Sequence, residues 1–148
     1  MLRFKSFRAD ERGATLVEFA IGAAVFLTSM FAVIEFGRAL WVHNALTDAA
    51  RLGARYAVIH SSTSTDAVKN VVVYGDPAGG TTPRVDNLTT GNVNVSYSNF
   101  GVDGGTVSVS ITNYQFQFVL PLVGTAIQMP NYTTTLTGES AGYIPPNI

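Results

Sequence analysis

Hydrophobic positions change period twice along the chain, and those changes divide it. From Phe19 to Ile34 there are 16 residues without a charge. Extending the run to Ala14 and Phe36 gives 23 residues, about 35 Å of helix at roughly 1.5 Å per residue, enough to cross a bilayer. Glu18 and Glu35 sit near the two ends of this run, where a carboxylate costs less than at mid-depth. The helical period then continues. With Trp41 at zero and about 100° per residue, Trp41, Ala45, Ala49, Leu52, Tyr56 and Ile59 share a quarter-turn, and Val42, Leu46, Gly53 and Ala57 extend that face. Asn44, Thr47, Asp48, Arg51 and Arg55 fall opposite. No proline occurs between Met1 and Asp76, so one continuous helix from Ala14 to Ile59 is predicted, about 70 Å long. The run Ser61-Ser62-Thr63-Ser64-Thr65 ends it.

Beyond a short helix or turn at Asp66–Asn70 the period becomes two. Val71–Tyr74 reads as a strand, and Gly75-Asp76-Pro77-Ala78-Gly79-Gly80 as a turn-rich loop. Val93, Val95 and Tyr97 alternate with polar residues, as do Val107, Val109 and Ile111, and Asn99–Gly105 should join these two strands as a hairpin. Tyr114, Phe116 and Phe118 have the opposite parity, which calls for a bulge or bend near Thr112–Asn113. Tyr132–Thr137 is the last strand. The apolar connection Leu120–Met129 reads as a loop folded over its own sheet, with a contact surface for another subunit or the membrane as the alternative. The predicted fold is α+β: a long N-terminal transmembrane and amphipathic helix packed on a small antiparallel sheet. The stripe from Trp41 to Ile59 is expected to face Val71, Val93, Val95, Val107 and Val109 or their neighbours.

Composition sharpens this division. The 148 residues are 47% apolar and 13% charged, high and low respectively for a soluble domain. Formal net charge is −1 but unevenly spread. Residues 1–13 carry Arg3, Lys5, Arg8 and Arg12 against Asp10 and Glu11, or +2; the remainder carries five basic and eight acidic residues, or −3. A basic head before an apolar run is an orientation signal that keeps the head in the cytoplasm and sends the sheet outside. No basic cluster suited to nucleic acid follows. There are no cysteines, so disulfides and thiolate metal sites are excluded.

The candidate chemistry lies at the start of the apolar run. Gly13 is followed by Ala14-Thr15-Leu16-Val17 and then Glu18-Phe19. This spacing resembles the prepilin peptidase motif, with the cut between Gly13 and Ala14. The basic leader is then lost and the apolar segment kept, the reverse of an ordinary signal peptide. Cleavage would create an ammonium group at Ala14, and Glu18 could satisfy it at i,i+4 spacing or satisfy that of a neighbouring subunit, since isolated buried charge is very costly. A plain signal anchor with its Glu at the headgroup level is the bland alternative.

The wider segment "RGATLVEFAIGAAVFLTSMFAVIEFGRALWVHNALTDAARLGARYAV" resembles the TadE-like family of small pilin-like proteins, through Arg12-Gly13, Val17-Glu18-Phe19, Glu35-Phe36-Gly37-Arg38, Ala45-Leu46-Thr47-Asp48-Ala49-Ala50-Arg51 and Gly53-Ala54-Arg55-Tyr56-Ala57. "NVVVYGDPAG", "TVSVSITNYQFQFVLPLVG" and "NYTTTLTGESA" are more loosely similar to that family's distal strands. The resemblance implies a pilin-like fold and a minor pilin or pseudopilin of a tight-adherence, type IV-related pilus. It implies as partners a prepilin peptidase, major and minor pilin subunits and an inner-membrane assembly platform. The location implied is the bacterial inner membrane, single-pass, with the C-terminal domain periplasmic, and a place either in an extracellular pilus or beneath it. The division is then leader 1–13, transmembrane helix 14–36, periplasmic helix 37–60 and β-rich domain 61–148. Processing falls to Gly13, Ala14, Glu18 and Phe19. Leu52 stands where many members carry Glu, so no ion-pair network is carried over there; Asp48 keeps i,i+3 reach of Arg51.

Glu18, Glu35, Arg38, Ala45, Ala49 and Gly53 are the candidate assembly residues. Glu35 and Arg38 can pair at i,i+3 or between subunits. The four-residue spacing of Ala45, Ala49 and Gly53 permits close helix approach, or tight packing on the sheet. Catalysis is not expected. His43 and His60 have no compact metal spacing, "GDPAGG" is followed by no Gly-Lys-Ser/Thr, no GxSxG elbow occurs, and Gly101–Gly105 has too few carboxylates for a calcium loop. No cofactor or metal is called for. Asn87, Asn94 and Asn131 open glycosylation-like triplets of the kind that arise by chance in a Ser/Thr-rich chain. The competing reading is an uncleaved, single-pass anchor displaying a periplasmic binding or adhesin domain.

Overall fold

The computed structural model describes residues 11–99, 105–119 and 125–138. The leader up to Asp10, most of the Asn99–Gly105 connection and residues 120–124 of the Leu120–Met129 connection lie outside them. The described fold is α+β. Helix α1 (Glu11–Val58) is one uninterrupted helix of 48 residues, about 72 Å at 1.5 Å per residue. Its most apolar 18-residue stretch has a mean hydropathy of 2.1 and none of it is buried within the chain. It first meets the rest of the molecule at Glu35, and from Val42 onward one face of it is buried in the core.

Helix α2 (Thr65–Tyr74) corrects the strand expected at Val71–Tyr74. Three consecutive β-branched residues favour a strand locally, but the ends and the burial pattern specify a helix. Val68 donates its N–H to the Ser64 carbonyl at 3.0 Å. Gly75, at φ 82°, closes the last turn by donating to the Val71 carbonyl, the left-handed cap that glycine accepts without steric cost. Val68, Val71, Val72 and Val73 are all buried. Burying four valines against α1 and the sheet outweighs a propensity difference of a few tenths of a kcal/mol per residue.

After the Asp76–Gly79 turn, in which the Asp76 carboxylate accepts the Ala78 N–H at 2.8 Å, the chain drops Val85 and Leu88 into the core. A short 3-10 turn (Thr90–Asn92) leads into β1 (Val93–Ser98), which pairs antiparallel with β2 (Thr106–Ile111) as the expected hairpin. β5 (Tyr132–Thr137) pairs on the other side of β2, giving the order β1-β2-β5. Register places Val93, Ile111 and Tyr132 in one inward row and Tyr97, Val107 and Leu136 in another. The outward rows are polar and uncharged: Asn94, Ser110 and Thr133, then Ser96, Ser108 and Thr135. α1 packs on β2 and β5, and α2 on β1.

The phase change expected at Thr112–Asn113 is present. Asn113 adopts φ 57°, a left-handed conformation that Asn tolerates better than most residues, and the chain leaves the first sheet. β3 (Gln115–Gln117) then pairs with β4 (Ala126–Gln128) in a separate two-stranded ribbon. β4 falls within the connection read as a loop.

The packed face of α1 is rotated from the expected stripe. Trp41 and Ile59 are 60% and 65% exposed, while Val42, Leu46, Ala49, Ala50, Ala54, Ala57 and Val58 are buried. The reason is size. Alanines let α2 and the sheet approach α1 closely, so the small side of the helix turns inward and its bulky edge is left outside. Gly53 marks the closest approach: a Cβ built there would lie 2.3 Å from Cγ2 of Val72 and 3.3 Å from Cγ1 of Val109.

Candidate functional site: an apolar stem and its junction with the sheet

The stem runs from Gly13 to Ile34. Gly13, Ala14, Glu18 and Phe19 all lie on its surface, helical and exposed. Leu16 is 70% and Phe19 74% exposed, and Ile21, Val25, Phe26 and Val33 are also exposed. An apolar surface this continuous is not a globular surface; it needs lipid or other helices around it. The hydroxyl of Ser29 donates to the Val25 carbonyl at 2.8 Å, which satisfies a polar atom inside the helix and lowers its cost in hydrocarbon. Glu18 is the one charged residue between Ala14 and Ile34.

The stem ends at a bonded junction. Glu35 is buried, 8% exposed. One carboxylate oxygen, Oε1, accepts the backbone N–H of Val119 at 3.0 Å. The other, Oε2, accepts from Nη2 of Arg38 at 2.9 Å. Arg38 also donates to the Gln117 carbonyl, and its guanidinium carbon lies 4.4 Å from the centre of the Phe116 ring. Phe116 in turn meets Phe118 edge-to-face at 5.2 Å. Glu35 and Arg38 therefore pair at i,i+3 within the chain, and the pair clamps the β3 segment to the top of the stem. Val119, Gln117 and Phe116 were not among the sequence candidates. The sole signal for them was the changed parity of Tyr114, Phe116 and Phe118, which places no strand beside a particular helical turn.

Higher on α1, His43 Nδ1 lies 2.9 Å from the Tyr132 hydroxyl, and the rings are edge-to-face at 5.2 Å. The Tyr114 hydroxyl donates to the Asp86 carbonyl at 2.7 Å. Burial pushes the Tyr114 phenol above its ordinary value of 10.0, and the nearby Asp86 charge adds to that rise while Arg38 opposes it. At the end of the helix, the His60 ring stacks on Tyr56 at 3.8 Å and its Nδ1 donates to the Tyr56 carbonyl at 2.8 Å. Ala49 and Gly53 are buried within the domain and Ala45 partly so. Asp48 and Arg51 form an exposed i,i+3 pair at 3.5 Å, beside a shallow cleft shared with Leu52, Arg55 and Arg84. Among the described residues no group of three or more His, Asp or Glu side chains could hold a metal ion.

Compared with known proteins, residues 13–55 match the family model described as TadE-like protein. The match begins at the glycine before the proposed cut and ends at Arg55, so it covers the stem, Glu35 and Arg38, and most of the small-residue face. No curated protein matches the chain, and no solved structure does.

Proposed function

We propose that the chain is a minor pilin or pseudopilin of a tight-adherence, type IV-related pilus. The observation that carries this is the stem: an exposed, uncharged helical surface broken only by Glu18, set five residues after Gly13, within the segment that matches the TadE-like model. That match supports a pilin-like protein associated with a Tad pilus. In the proposed sequence of events the chain inserts in the inner membrane with its basic head inside and its sheet domain in the periplasm. A prepilin peptidase cuts between Gly13 and Ala14. The new ammonium group at Ala14 and the Glu18 carboxylate neutralise one another, within a helix or between neighbouring stems, which removes the cost of two isolated charges at the lipid boundary. The stem then packs against major and minor pilin stems. On extraction by the assembly platform it loses lipid, and neighbouring stems must replace those apolar contacts. The chain works by contact, not catalysis.

The test is the intact mass of the membrane-extracted protein, with and without a prepilin peptidase. The expected result is loss of residues 1–13 and a new terminus at Ala14 when the peptidase is present. A chain that keeps Met1 beside an active peptidase overturns the reading and leaves the uncleaved anchor. In a Glu18→Ala variant, cleavage with loss of piliation is expected; full piliation would remove Glu18 from assembly.

A further inference from the structure

The Glu35–Val119 bond ties the β3–β4 ribbon to the end of the apolar stem. If Ala14–Ile34 fills the hydrocarbon, its 21 residues span about 31 Å, close to the roughly 30 Å of a bilayer core. Glu35 then stands where hydrocarbon meets headgroups. Val119 is bonded to it and lies at the same level. Arg38, one turn higher, sits over Phe116, and Ile127 is the cross-strand partner of Phe116. Trp41 is six residues beyond Glu35, about 9 Å further out. The headgroup zone on each side is about 5–8 Å thick. Around that zone and its outer edge, Val119 is 71%, Ile127 51%, Leu40 49% and Trp41 60% exposed.

Scattered apolar residues on a surface need no explanation. Val119 is bonded at the end of the stem, Leu40 and Trp41 follow within about 9 Å along the same helix, and Ile127 is paired with Phe116, which packs on Arg38 between them. Backbone groups at the end of β3 are also bonded. The Val119 N–H is taken by Glu35, the Phe118 N–H by the Thr125 carbonyl at 3.1 Å, and the Gln117 carbonyl by Arg38. The rows of the three-stranded sheet that face away from the core carry Ser, Thr and Asn instead.

We propose that the β3–β4 ribbon is a second membrane contact: Val119 and Ile127, with Leu40 and Trp41 on the stem, rest in the outer-leaflet interface and hold the sheet domain at a fixed tilt against the lipid. Lipid is the occupant because the patch continues the span's own surface, and because an indole at this height has the placement that membrane interfaces favour. The inference rests on α1 crossing the membrane and is independent of the pilus reading.

The chain has no cysteine, so single substitutions can be labelled cleanly. Ile21→Cys, Val119→Cys, Ile127→Cys and Ser62→Cys, each on the full chain, are labelled with an environment-sensitive nitrobenzoxadiazole dye. They are reconstituted in phosphatidylcholine/phosphatidylglycerol vesicles with or without lipid spin-labelled high on the acyl chain. Ser62 lies beyond the far end of α1, more than about 30 Å from the span, and should be unquenched. Positions 119 and 127 should be blue-shifted and quenched by the spin-labelled lipid, well above the level at Ser62. Quenching at 21 but not at 119 or 127 overturns the ribbon contact while α1 still spans. No quenching at 21 overturns the span itself. A blue shift at 127 without lipid quenching means that protein covers the site, a second copy included, and also overturns the proposal. Ile127→Glu is the second variant: it should lower the quenching of a dye at 119 while far-ultraviolet circular dichroism stays unchanged, and unaltered quenching there overturns the proposal.

Discussion

Glu35 and Val119 are 84 residues apart in sequence and joined by a 3.0 Å hydrogen bond from the Val119 N–H to the Glu35 carboxylate. This bond ties the end of the apolar stem to the β-rich half. It sits in the helical turn where the apolar run gives way to the packed face. Arg38 holds the same carboxylate from the other side, so Glu35 is neutralised on one oxygen and bonded on the other.

Removing that carboxylate should loosen the junction more than it unfolds the domain. In Glu35→Ala the Val119 N–H loses its acceptor and Arg38 its counter-charge, and a lost hydrogen bond to a charged group costs about 1.5–3 kcal/mol. Glu35→Gln keeps an acceptor for Val119 but not the charge, so it should cost less, on the order of 1 kcal/mol. Hydrogen exchange is the measurement. The Val119 amide should lose protection in Glu35→Ala and keep most of it in Glu35→Gln, while the β1–β2 amides change little. Equal protection in all three proteins would remove Glu35 as the acceptor.

Gly53 gives a test of the packing of α1 on α2. In an exposed helix Gly→Ala gains about 0.8–1.0 kcal/mol. Here the new methyl would meet Val72 Cγ2 at 2.3 Å, and Val72 is itself fully buried with a stiff, branched side chain. Overpacking costs about 1–3 kcal/mol, so Gly53→Ala should be net destabilising by on the order of 1 kcal/mol. In a Val72→Ala background the space exists, and the same substitution should turn neutral or stabilising. Denaturant midpoints of the four proteins in detergent close this cycle, and additive effects would show that the contact is not made.

Gly75 tests the helix that was read as a strand. Its φ of 82° costs an L-residue about 1–2 kcal/mol, so Gly75→Ala should destabilise by that amount. In Gly22, by contrast, a new Cβ meets nothing within 4 Å. Gly22→Ala should leave the melting temperature unchanged or slightly raised.

The stem, the hairpin and the last strand were legible because each rests on a local pattern: an uncharged run, two alternations of period two, and a Thr-rich segment bounded by Pro130 and Gly138. Val71–Tyr74 was misread because three adjacent valines express strand propensity locally, whereas the helix is decided by what they bury against. The face of α1 was misjudged by weighting Trp41 and Ile59 for hydrophobicity. In contact with α2 and the sheet, close approach favours Ala and Gly over bulk. At the junction, Glu35 and Arg38 stood out as charges at the end of a span. Their partners on β3 are contacts between distant segments, and no period in the sequence encodes which turn of a helix a strand will meet.

Tyrosines predict the response to alkali. Burial raises the phenols of Tyr97, Tyr114 and Tyr132 above 10.0, and neighbouring Asp86 and Tyr114 add to the rise at Tyr114 and Tyr132 respectively. A folded-state value above the unfolded one means that the folded chain holds these protons more tightly. The stabilisation is fully present below the unfolded value of about 10 and is lost as pH climbs through the folded values. Melting temperature should therefore be unaffected by phenol ionisation at neutral pH and fall from about pH 10 upward. Tyr114→Phe keeps the ring and removes the ionisable hydroxyl, together with its 2.7 Å bond to the Asp86 carbonyl. It should cost about 0.5–1.5 kcal/mol at pH 7 and flatten the alkaline decline. Parallel declines in the two proteins would show that Tyr114 ionises equally well folded and unfolded.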